Sequence, residues 1–363
     1  MSSSMEKNDE YDVSLNAMCL ASAQIYPAVL NAAIELNLFK IIGEGDPKGM
    51  SPSEIASHLP NPHAAGDDIA GRLDRLLCLL ATHSLLTCSS NKVDEDGRIE
   101  RLYALSPTGK YMLPDEDGVS YASISNLRYH PAYIKVRENI KEVIVNEEDD
   151  LFKIVNGMSM YEYTKKDPTF ETLFHKAMAD VSSIHMKEIL EKYKGFEGIS
   201  TLVDVAGGIG QTLKMIVSKY PSIQAINFDL PHVVQHAPSY PGIKHVGGNM
   251  FEDVVPEGDA IMMKSVIHNW ADDKCIQVLK NCHKSLKKGG KVIVINIIMP
   301  EIPNASVGHK FATILDTVMF LQAGGKERTE KEFEALGKAA GFSSYHVAAR
   351  LLSSVLGVFE FYK

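Results

Sequence analysis

The sequence predicts an α/β protein in which a Rossmann-like C-terminal domain follows a mainly helical, winged-helix-like N-terminal domain. Up to about residue 195 the apolar residues recur mostly at helical spacing, whereas from Ser200 onward short runs rich in Val and Ile alternate with helical segments. Strands that alternate with helices form a parallel sheet covered by helices on both faces. We therefore expect two domains, residues 1–195 and residues 196–363.

The second half contains four apolar runs of strand length and a closing pair of strands. The strands are predicted at residues 202–206, 225–230, 260–266 and 291–299, with an antiparallel edge hairpin within residues 345–362. Helices are predicted between and after them, at residues 212–219, 273–286 and 310–321.

Residues 15–39 predict a strongly apolar helix with a kink or break at Pro27, because proline has no backbone N–H to donate within a helix. Its apolar side chains occupy more than one face and must be buried, either inside the domain or against a second subunit. The pattern leaves both alternatives open. Residues 51–60 (SPSEIASHLP) predict a short helix that Ser51 or Ser53 caps and Pro60 ends.

A second amphipathic helix at residues 72–86 precedes two strands, 87–88 and 101–105, around the polar turn NKVDEDGR (91–98). This is the pattern of a winged helix and would suit a DNA-binding regulator. However, the helix carries few positive charges, and the chain has a net charge of −9 and a pI near 5.8. Phosphate contacts and anionic lipid both require a basic surface. We therefore expect neither nucleic acid nor membrane as a partner.

The cysteines and the first residues indicate the compartment. Five cysteines are scattered without the spacing of a metal site or a CxxC pair, which favours reduced thiols and no bound metal. The first twelve residues are polar and acidic, unlike a signal peptide, and no apolar run approaches the length of about 18 residues that spans a bilayer. The prediction is a cytoplasmic protein.

The first strand of the second half runs into a glycine-rich turn, Gly207-Gly208-Ile209-Gly210, before a helix. Glycines at such a turn let a ligand approach the backbone, and the helix N-terminus adds donors. Nineteen residues after Gly210 the next strand ends in Asp229, where a carboxylate can accept both hydroxyls of an adenosine ribose. No lysine follows in the turn, so a P-loop is excluded, but a nicotinamide dehydrogenase would share this pattern.

Six ordered blocks distinguish the alternatives. They are VDVAGGIG, INFDLPHVV, SYPGIKHVGGNMF, HNW, KNCHKSLKKGGKVIVIN and GGKERTEKEFEALGKAAGF. All resemble plant caffeic-acid-type O-methyltransferases, and the likeness covers nearly the whole chain. The resemblance implies methyl transfer from S-adenosylmethionine to a small aromatic molecule, with S-adenosylhomocysteine as product, no metal, and a homodimer. It disfavours a dehydrogenase.

The resemblance also implies roles for individual residues. The cofactor would contact Ser182, Gly207, Gly208, Gly210, Asp229, Leu230, Asn249, Met250, Lys264 and Trp270. The acceptor pocket would be lined by Asn126, Phe170, Phe174, Met178 and Met319, although such aromatic and Met side chains also suit a plain core.

His268 is the candidate general base. A phenol has a pKa of about 10, so almost none of it is ionised at neutral pH. An imidazole exchanges protons near neutral pH and can take the phenolic proton as the methyl group is transferred. A base needs an orienting partner on its other nitrogen. The resemblance implies two acidic partners, of which this chain keeps Glu327 and replaces the other by Asn296.

Several residues around the chemistry depart from the family pattern. Ala206 replaces a glycine and Ser265 a bulky Trp, whereas Asn249, Asn269 and Asn296 each replace an acidic residue. Either the enzyme is an O-methyltransferase with a reshaped acceptor site, or its acceptor is an aromatic amine nitrogen, which needs less base strength. Some relatives that methylate amines such as anthranilate also have Asn at the 249 and 296 positions. The first alternative is favoured.

Overall fold

A computed structural model describes residues 13–60, 68–93, 99–146, 150–323 and 325–363. The first twelve residues and the tip of the predicted wing turn, 94–98, lie outside these ranges. The chain divides into two compact units, one ending at Tyr129 and the other beginning at His130. The division falls earlier than the predicted boundary at residue 195, because the helices that follow His130 pack on one another and on the sheet of the second unit.

The first unit consists of short helices and one two-stranded sheet. Its described elements are α1 (Val13–Ala21), α2 (Ile25–Glu35), α3 (Leu38–Glu44), α4 (Pro52–Ser57), α5 (Ile69–Thr82), β1 (Leu86–Val93), β2 (Ile99–Leu105) and α6 (Ala122–Arg128). β1 and β2 pair antiparallel, with Leu86 opposite Leu105. The predicted short helix at residues 51–60, the amphipathic helix before the wing and the antiparallel pair of strands are therefore present.

The apolar helix predicted for residues 15–39 is three helices. The chain breaks after Ala21, and Pro27 lies in the first turn of α2, where its missing N–H has no partner to lose. A second break follows at Asn37, whose φ of +55° is left-handed. The prediction of one helix through to residue 39 is therefore wrong. Buried Ala33 and Leu38 belong to the core of the unit.

The N-terminal part of this segment is not covered by its own chain. Val13 and Leu20 on α1 are each 68% exposed. Burial inside the domain therefore does not account for these side chains. Among the described residues no single helix is long and apolar enough to cross a membrane, and α1 and α2 meet that condition only as a pair bent by 55°.

Two helix boundaries in the first unit follow from local chemistry. Ser51 caps α4 with a capping box: its Oγ accepts the Glu54 N–H at 3.2 Å, and its own N–H donates to Glu54 Oε2 at 2.7 Å. This confirms Ser51 rather than Ser53 as the cap. Helix α5 ends at Thr82, earlier than the predicted residue 86, because Ser84 has a φ of +60° and Leu86 already begins β1.

The second unit has a seven-stranded sheet. Its described strands are β3 (Thr201–Val205), β4 (Gln224–Asp229), β5 (Ile243–Gly247), β6 (Gly258–Lys264), β7 (Leu286–Ile297), β8 (Ser344–Leu351) and β9 (Leu356–Tyr362). Its described helices are α7 (Pro131–Glu138), α8 (Glu142–Val145), α9 (Leu151–Asn156), α10 (Met160–Lys166), α11 (Pro168–Lys192), α12 (Gln211–Lys219), α13 (Pro231–Val234), α14 (Asp272–Ser285), α15 (Val307–Ala323) and α16 (Glu330–Ala340).

The strand order is β5-β4-β3-β6-β7-β9-β8, with β9 antiparallel to both neighbours and the other pairs parallel. Both faces are covered: in β7, Val292 and Val294 join one core cluster, while Ile293 and Ile295 join the other. The four predicted strands and the edge hairpin are confirmed; β5 is the further strand expected before GGNMF, for which no bounds were predicted. The order reverses between β3 and β6, and a ligand crevice is expected at such a switch point.

A buried ionic cluster stabilises the sheet. Glu360 accepts from Tyr193 Oη and Lys291 Nζ, both at 2.5 Å, and from Tyr362 Oη at 2.6 Å. Burial acts to raise the pKa of Glu360, but these donors outweigh it and leave the pKa below its usual value. Because the ionised carboxylate is stabilised in the folded state, Glu360 adds to the free energy of unfolding at pH values above its unfolded pKa. This stabilisation is lost as the pH falls through its lower, folded-state pKa.

We therefore expect Glu360→Gln to lower the free energy of unfolding by about 3 kcal/mol at neutral pH, because Lys291 is left without its counter-charge. The difference from the wild type should shrink as the pH falls below about 4.5, where the carboxylate is protonated first in the unfolded chain and, at lower pH, in the folded protein. Urea unfolding at several pH values measures this. A difference that stays constant down to acid pH would contradict it.

Candidate active site

The glycine-rich turn after β3 has an unusual backbone. Ala206, Gly208 and Gly210 have φ values of +58°, +60° and +85°, and Gly210 is the N-cap of α12. Glycine adopts this region freely, whereas alanine is strained there by roughly 1–2 kcal/mol. The predicted strand-to-helix turn is therefore present, and Ala206 adopts the conformation in a position where the family pattern has glycine.

Asp229 at the end of β4 holds this turn. Its Oδ2 accepts the Gly208 N–H at 2.8 Å and its Oδ1 accepts the Leu230 N–H at 2.7 Å. A side chain on Gly208 would meet open space, so the turn is accessible from that direction. Each carboxylate oxygen retains a further lone pair, because an ionised carboxylate has about four acceptor sites. The partly exposed carboxylate can therefore accept hydrogen bonds from a ligand.

Ser182 on α11 and Lys264 at the end of β6 lie together, although they are far apart in sequence. Lys264 Nζ donates to Ser182 Oγ at 2.8 Å. Burial lowers the pKa of Lys264 to about 8, although Asp204 lies nearby. The structure thus brings two of the predicted cofactor residues into one hydrogen bond.

Asn249, Met250 and Trp270 lie on the loops that follow β5 and β6. Asn249 Oδ1 accepts the Phe251 N–H at 3.1 Å, and the Asn249 N–H donates to Asp253 Oδ2 at 2.7 Å. The Asn249 side chain therefore shapes its own turn. Trp270 meets the Phe251 ring edge to face, with centroids 4.8 Å apart. Half-buried Met250 packs against the same core cluster as this pair.

His268 lies in the short 3₁₀ turn Ile267–Asn269 that follows β6. Its Nδ1 is 2.6 Å from Glu327 Oε1, and Glu327 Oε2 accepts from Asn296 Nδ2 at 2.7 Å. A carboxylate can only accept, so it places the imidazole proton on Nδ1 and leaves the lone pair on Nε2. The Glu327 side chain is fully buried, while that of His268 is 11% exposed. The three predicted catalytic residues therefore form one hydrogen-bonded chain.

Sequence reasoning missed the residue that holds this turn in place. The Arg328 guanidinium, fully buried, donates to the carbonyl of Ile267 at 3.0 Å, to that of Trp270 at 2.7 Å and to Asp272 Oδ1 at 2.7 Å. Its position directly after Glu327, in the block GGKER, was the available signal. Gly325 is also required, because a Cβ there would lie under 3.0 Å from the His268 carbonyl oxygen.

The predicted acceptor residues are less uniform. Phe170 is fully buried and its ring packs among Tyr133, Phe152 and Tyr163, as a core residue does. Phe174 stacks on Phe170 with centroids 6.2 Å apart. By contrast, Met178 is 39% exposed and Met319 on α15 is half-buried, while Asn126 lies on α6 of the first unit. Their role in acceptor binding stays a prediction.

Among the described residues of both units, side chains that could bind a metal do not cluster. No group of three or more His, Cys, Asp or Glu residues there has an arrangement that could hold a metal ion. All five cysteines are free thiols; Cys275 and Cys282 are buried as expected of core residues, whereas Cys19 and Cys88 are exposed.

The sheet order, the glycine turn at its switch point and the helices on both faces define a Rossmann-like domain with a ligand crevice at that turn. Two family models match: an O-methyltransferase domain over residues 138–343 and an O-methyltransferase dimerisation domain over residues 18–115. The chain belongs to the O-methyltransferase family.

Individual proteins agree with this assignment. A caffeic acid 3-O-methyltransferase of Catharanthus roseus is 47% identical over 94% of this chain and 93% of its own length. A flavone 3'-O-methyltransferase of Chrysosplenium americanum is 46% identical over 92% of this chain and 94% of its own length. Human N-acetylserotonin methyltransferase, solved in complex with S-adenosylmethionine, has a TM-score of 0.77 at 21% identity, covering 97% of both chains. The last likeness concerns the fold.

Proposed function

We propose that the protein transfers a methyl group from S-adenosylmethionine to a hydroxyl of a small plant phenolic, such as a phenylpropanoid, flavonoid or coumarin, with His268 as general base. The observation that carries this proposal is the hydrogen-bonded series Asn296–Glu327–His268. His268 follows β6, and β6 is the neighbour of β3, whose glycine turn would hold the cofactor. The names of the relatives that are nearly half identical support a phenolic acceptor.

The residues present fit the cofactor. Gly208 faces open space beside a carboxylate with spare lone pairs, which suits the ribose hydroxyls. The carboxylate of Asp229 suits a ligand that carries positive charge. Lys264 would contact the polar edge of the adenine, with Asn249, Met250 and Trp270 around its ring. Ser182 would make a further contact with the cofactor. The bound cofactor supplies an electrophilic methyl group on a sulfonium.

The protein itself contributes a general base and the carboxylate that orients it. His268 Nε2 would accept the hydroxyl proton as the acceptor oxygen receives the methyl group, so that the methylated oxygen is left neutral. Glu327 stabilises the resulting imidazolium through Nδ1, and Asn296 orients Glu327. The proton then returns to solvent, for which the partial exposure of His268 leaves a route.

Asn296 is the observation that favours a second candidate, methylation of an aromatic amine. Its amide stands where the family pattern has a carboxylate, so one negative charge fewer supports the imidazolium. A neutral amine already has an available lone pair and needs less help from a base. The O-methyltransferase relatives nevertheless favour a hydroxyl acceptor.

The deciding experiment incubates the purified protein with S-adenosylmethionine and matched pairs of phenols and anilines, and reads the product mass and the methylated atom. We expect O-methylated products from phenols with adjacent hydroxyl or methoxy groups. Methylation of anilines alone would replace the proposed reaction by the second candidate. Protection against thermal unfolding by NAD and not by S-adenosylhomocysteine would overturn the methyltransferase assignment for this site.

Asp229→Ala should weaken S-adenosylhomocysteine binding by about tenfold or more, because two charge-assisted hydrogen bonds to the ribose are lost. The kcat at saturating cofactor should change much less. Calorimetry and steady-state kinetics separate the two effects. Glu257→Ala removes an exposed carboxylate just before β6 and serves as a comparison; equal affinity losses in both variants would contradict the specific role of Asp229.

The predicted homodimer agrees with the dimerisation domain and with the exposed apolar side chains of α1. A cytoplasmic location is proposed because the free cysteines suit a reducing compartment.

A further inference from the structure

Two buried side chains beneath the glycine turn end in oxygen atoms that have no donor. Asp204 on β3 and Asn227 on β4 are direct neighbours across the parallel strands, and both are almost completely buried. Within the described part of the chain, Asp204 Oδ2 and Asn227 Oδ1 have no hydrogen-bond partner. A buried acceptor without a donor is costly, so this arrangement requires an explanation.

The two oxygen atoms point at the same place. A Cβ built on Gly207 would lie under 3.0 Å from both of them. An ionised carboxylate and an amide oxygen repel each other at such a site, whereas a protonated carboxyl can donate to the amide oxygen. Burial raises the pKa of Asp204 to about 8, with the nearby charge of Lys264 opposing the shift and that of Asp229 adding to it. The facing acceptor oxygen of Asn227 and the raised pKa both favour the protonated form of Asp204 at neutral pH.

The other end of the Asn227 amide has a fixed orientation. Asn227 Nδ2 donates to the Gly208 carbonyl at 2.7 Å and to His245 Nδ1 at 3.1 Å. His245 Nε2 then carries the ring proton and donates to the Pro238 carbonyl at 3.0 Å. Because both amide hydrogens are used, a flip of the amide would break both bonds. Asn227 Oδ1 must therefore remain directed toward Asp204.

We propose that Asp204 is a neutral positioning residue, which keeps its proton, donates it to Asn227 Oδ1 and thereby fixes the glycine turn that seats the cofactor. The inference rests on the proposed function in so far as that turn is the cofactor site. The backbone of Gly208 is then held on both sides of its Cα: Asp229 accepts from its N–H, and Asn227 donates to its carbonyl. A turn fixed before binding loses less entropy when the ligand arrives.

The test compares Asp204→Asn with Asp204→Ala by calorimetry with S-adenosylhomocysteine. The amide of Asp204→Asn has the size of the carboxyl and still donates, so we expect an affinity within about threefold of the wild type near neutral pH. Asp204→Ala leaves Asn227 Oδ1 without a donor, and we expect a loss of about tenfold or more. An equally large loss in Asp204→Asn would show that an ionised carboxylate contacts the cofactor, and would overturn the proposal.

A pH series provides a readout that a merely structural role would not change. As the pH rises through about 8, the wild-type Asp204 loses its proton and its donor, whereas Asp204→Asn cannot. Both proteins keep the charged and titratable groups around this position, namely Lys264 on β6, Asp229 on β4 and His185 on α11, which interacts with Lys264. We expect the ratio of wild-type Kd to that of Asp204→Asn to rise between about pH 7 and about pH 9.5. A flat ratio would overturn the proposal.

An infrared difference spectrum between the same two proteins gives a direct measurement and does not depend on Asp204→Ala being folded. The wild type should show the carbonyl stretch of a protonated buried carboxyl at neutral pH, and Asp204→Asn should lack it. Absence of that band would overturn the inference alone. Failure of the wild type to bind S-adenosylhomocysteine at all would instead overturn the proposed function.

Discussion

His268→Ala should lower kcat by about 10²- to 10⁴-fold with a phenolic acceptor, and leave the affinity for S-adenosylhomocysteine within about twofold of the wild type. The physical reason is that the acceptor oxygen must lose its proton while the methyl group is transferred, and Nε2 is the free basic atom in the chain His268–Glu327. None of the bonds of the glycine turn involves this ring, so cofactor binding is retained.

The loss should grow with the pKa of the acceptor, because a more acidic phenol depends less on the base. A series of substituted phenols measured with both proteins tests this slope. His346→Ala removes an exposed imidazole on β8 and is the matched control, for which unchanged kinetics are expected. A kcat for His268→Ala within tenfold of the wild type for the least acidic phenol would rule out the base.

Glu327→Gln should lower kcat by about 10²-fold or more without unfolding the protein. Each Glu327 oxygen now accepts one hydrogen bond, from His268 and from Asn296. If the new amide nitrogen faces His268, it moves the ring proton to Nε2 and removes the base. If the nitrogen faces Asn296, that amide can turn its unpartnered Oδ1 toward it, but no charge is left to stabilise the imidazolium.

Both orientations retain the hydrogen bonds of the buried pocket, so the melting temperature should change little while turnover falls. Glu301→Gln is the control, since Glu301 is exposed and pairs only at 3.3 Å with Lys331 at the surface. Measurement of kcat, the melting temperature and cofactor affinity on the three proteins separates orientation from folding. Turnover within threefold of the wild type in Glu327→Gln would contradict the orienting role.

The parts of the site that follow from local sequence were predicted well. A glycine turn between a strand and a helix, and an acidic residue at the end of the next strand, are fixed by spacing along the chain, and the structure joins them through the Gly208–Asp229 bond. The capping box of Ser51 and Glu54 is also local. The bounds of strand β5 could not be predicted because its short sequence IKHVG contains few apolar residues to set a pattern.

The sequence identified which distant residues act together, but it could not give the distances between them. His268 and Glu327 were both identified, yet their separation of 2.6 Å depends on how the turn after β6 meets the segment before α16. Arg328, which ties these two segments together, was overlooked because a buried cation has no periodic signal along the chain.

By itself the sequence determined the alternation of strands and helices, the glycine turn and the family, since each depends on the order and spacing of neighbouring side chains. Only the tertiary structure decided where the compact units divide, which helix faces stay uncovered, and that Asp204 and Asn227 lie opposite each other beneath the turn. The physical reason is that burial, strand register and loss of hydration arise from packing between segments, and no single segment contains that information.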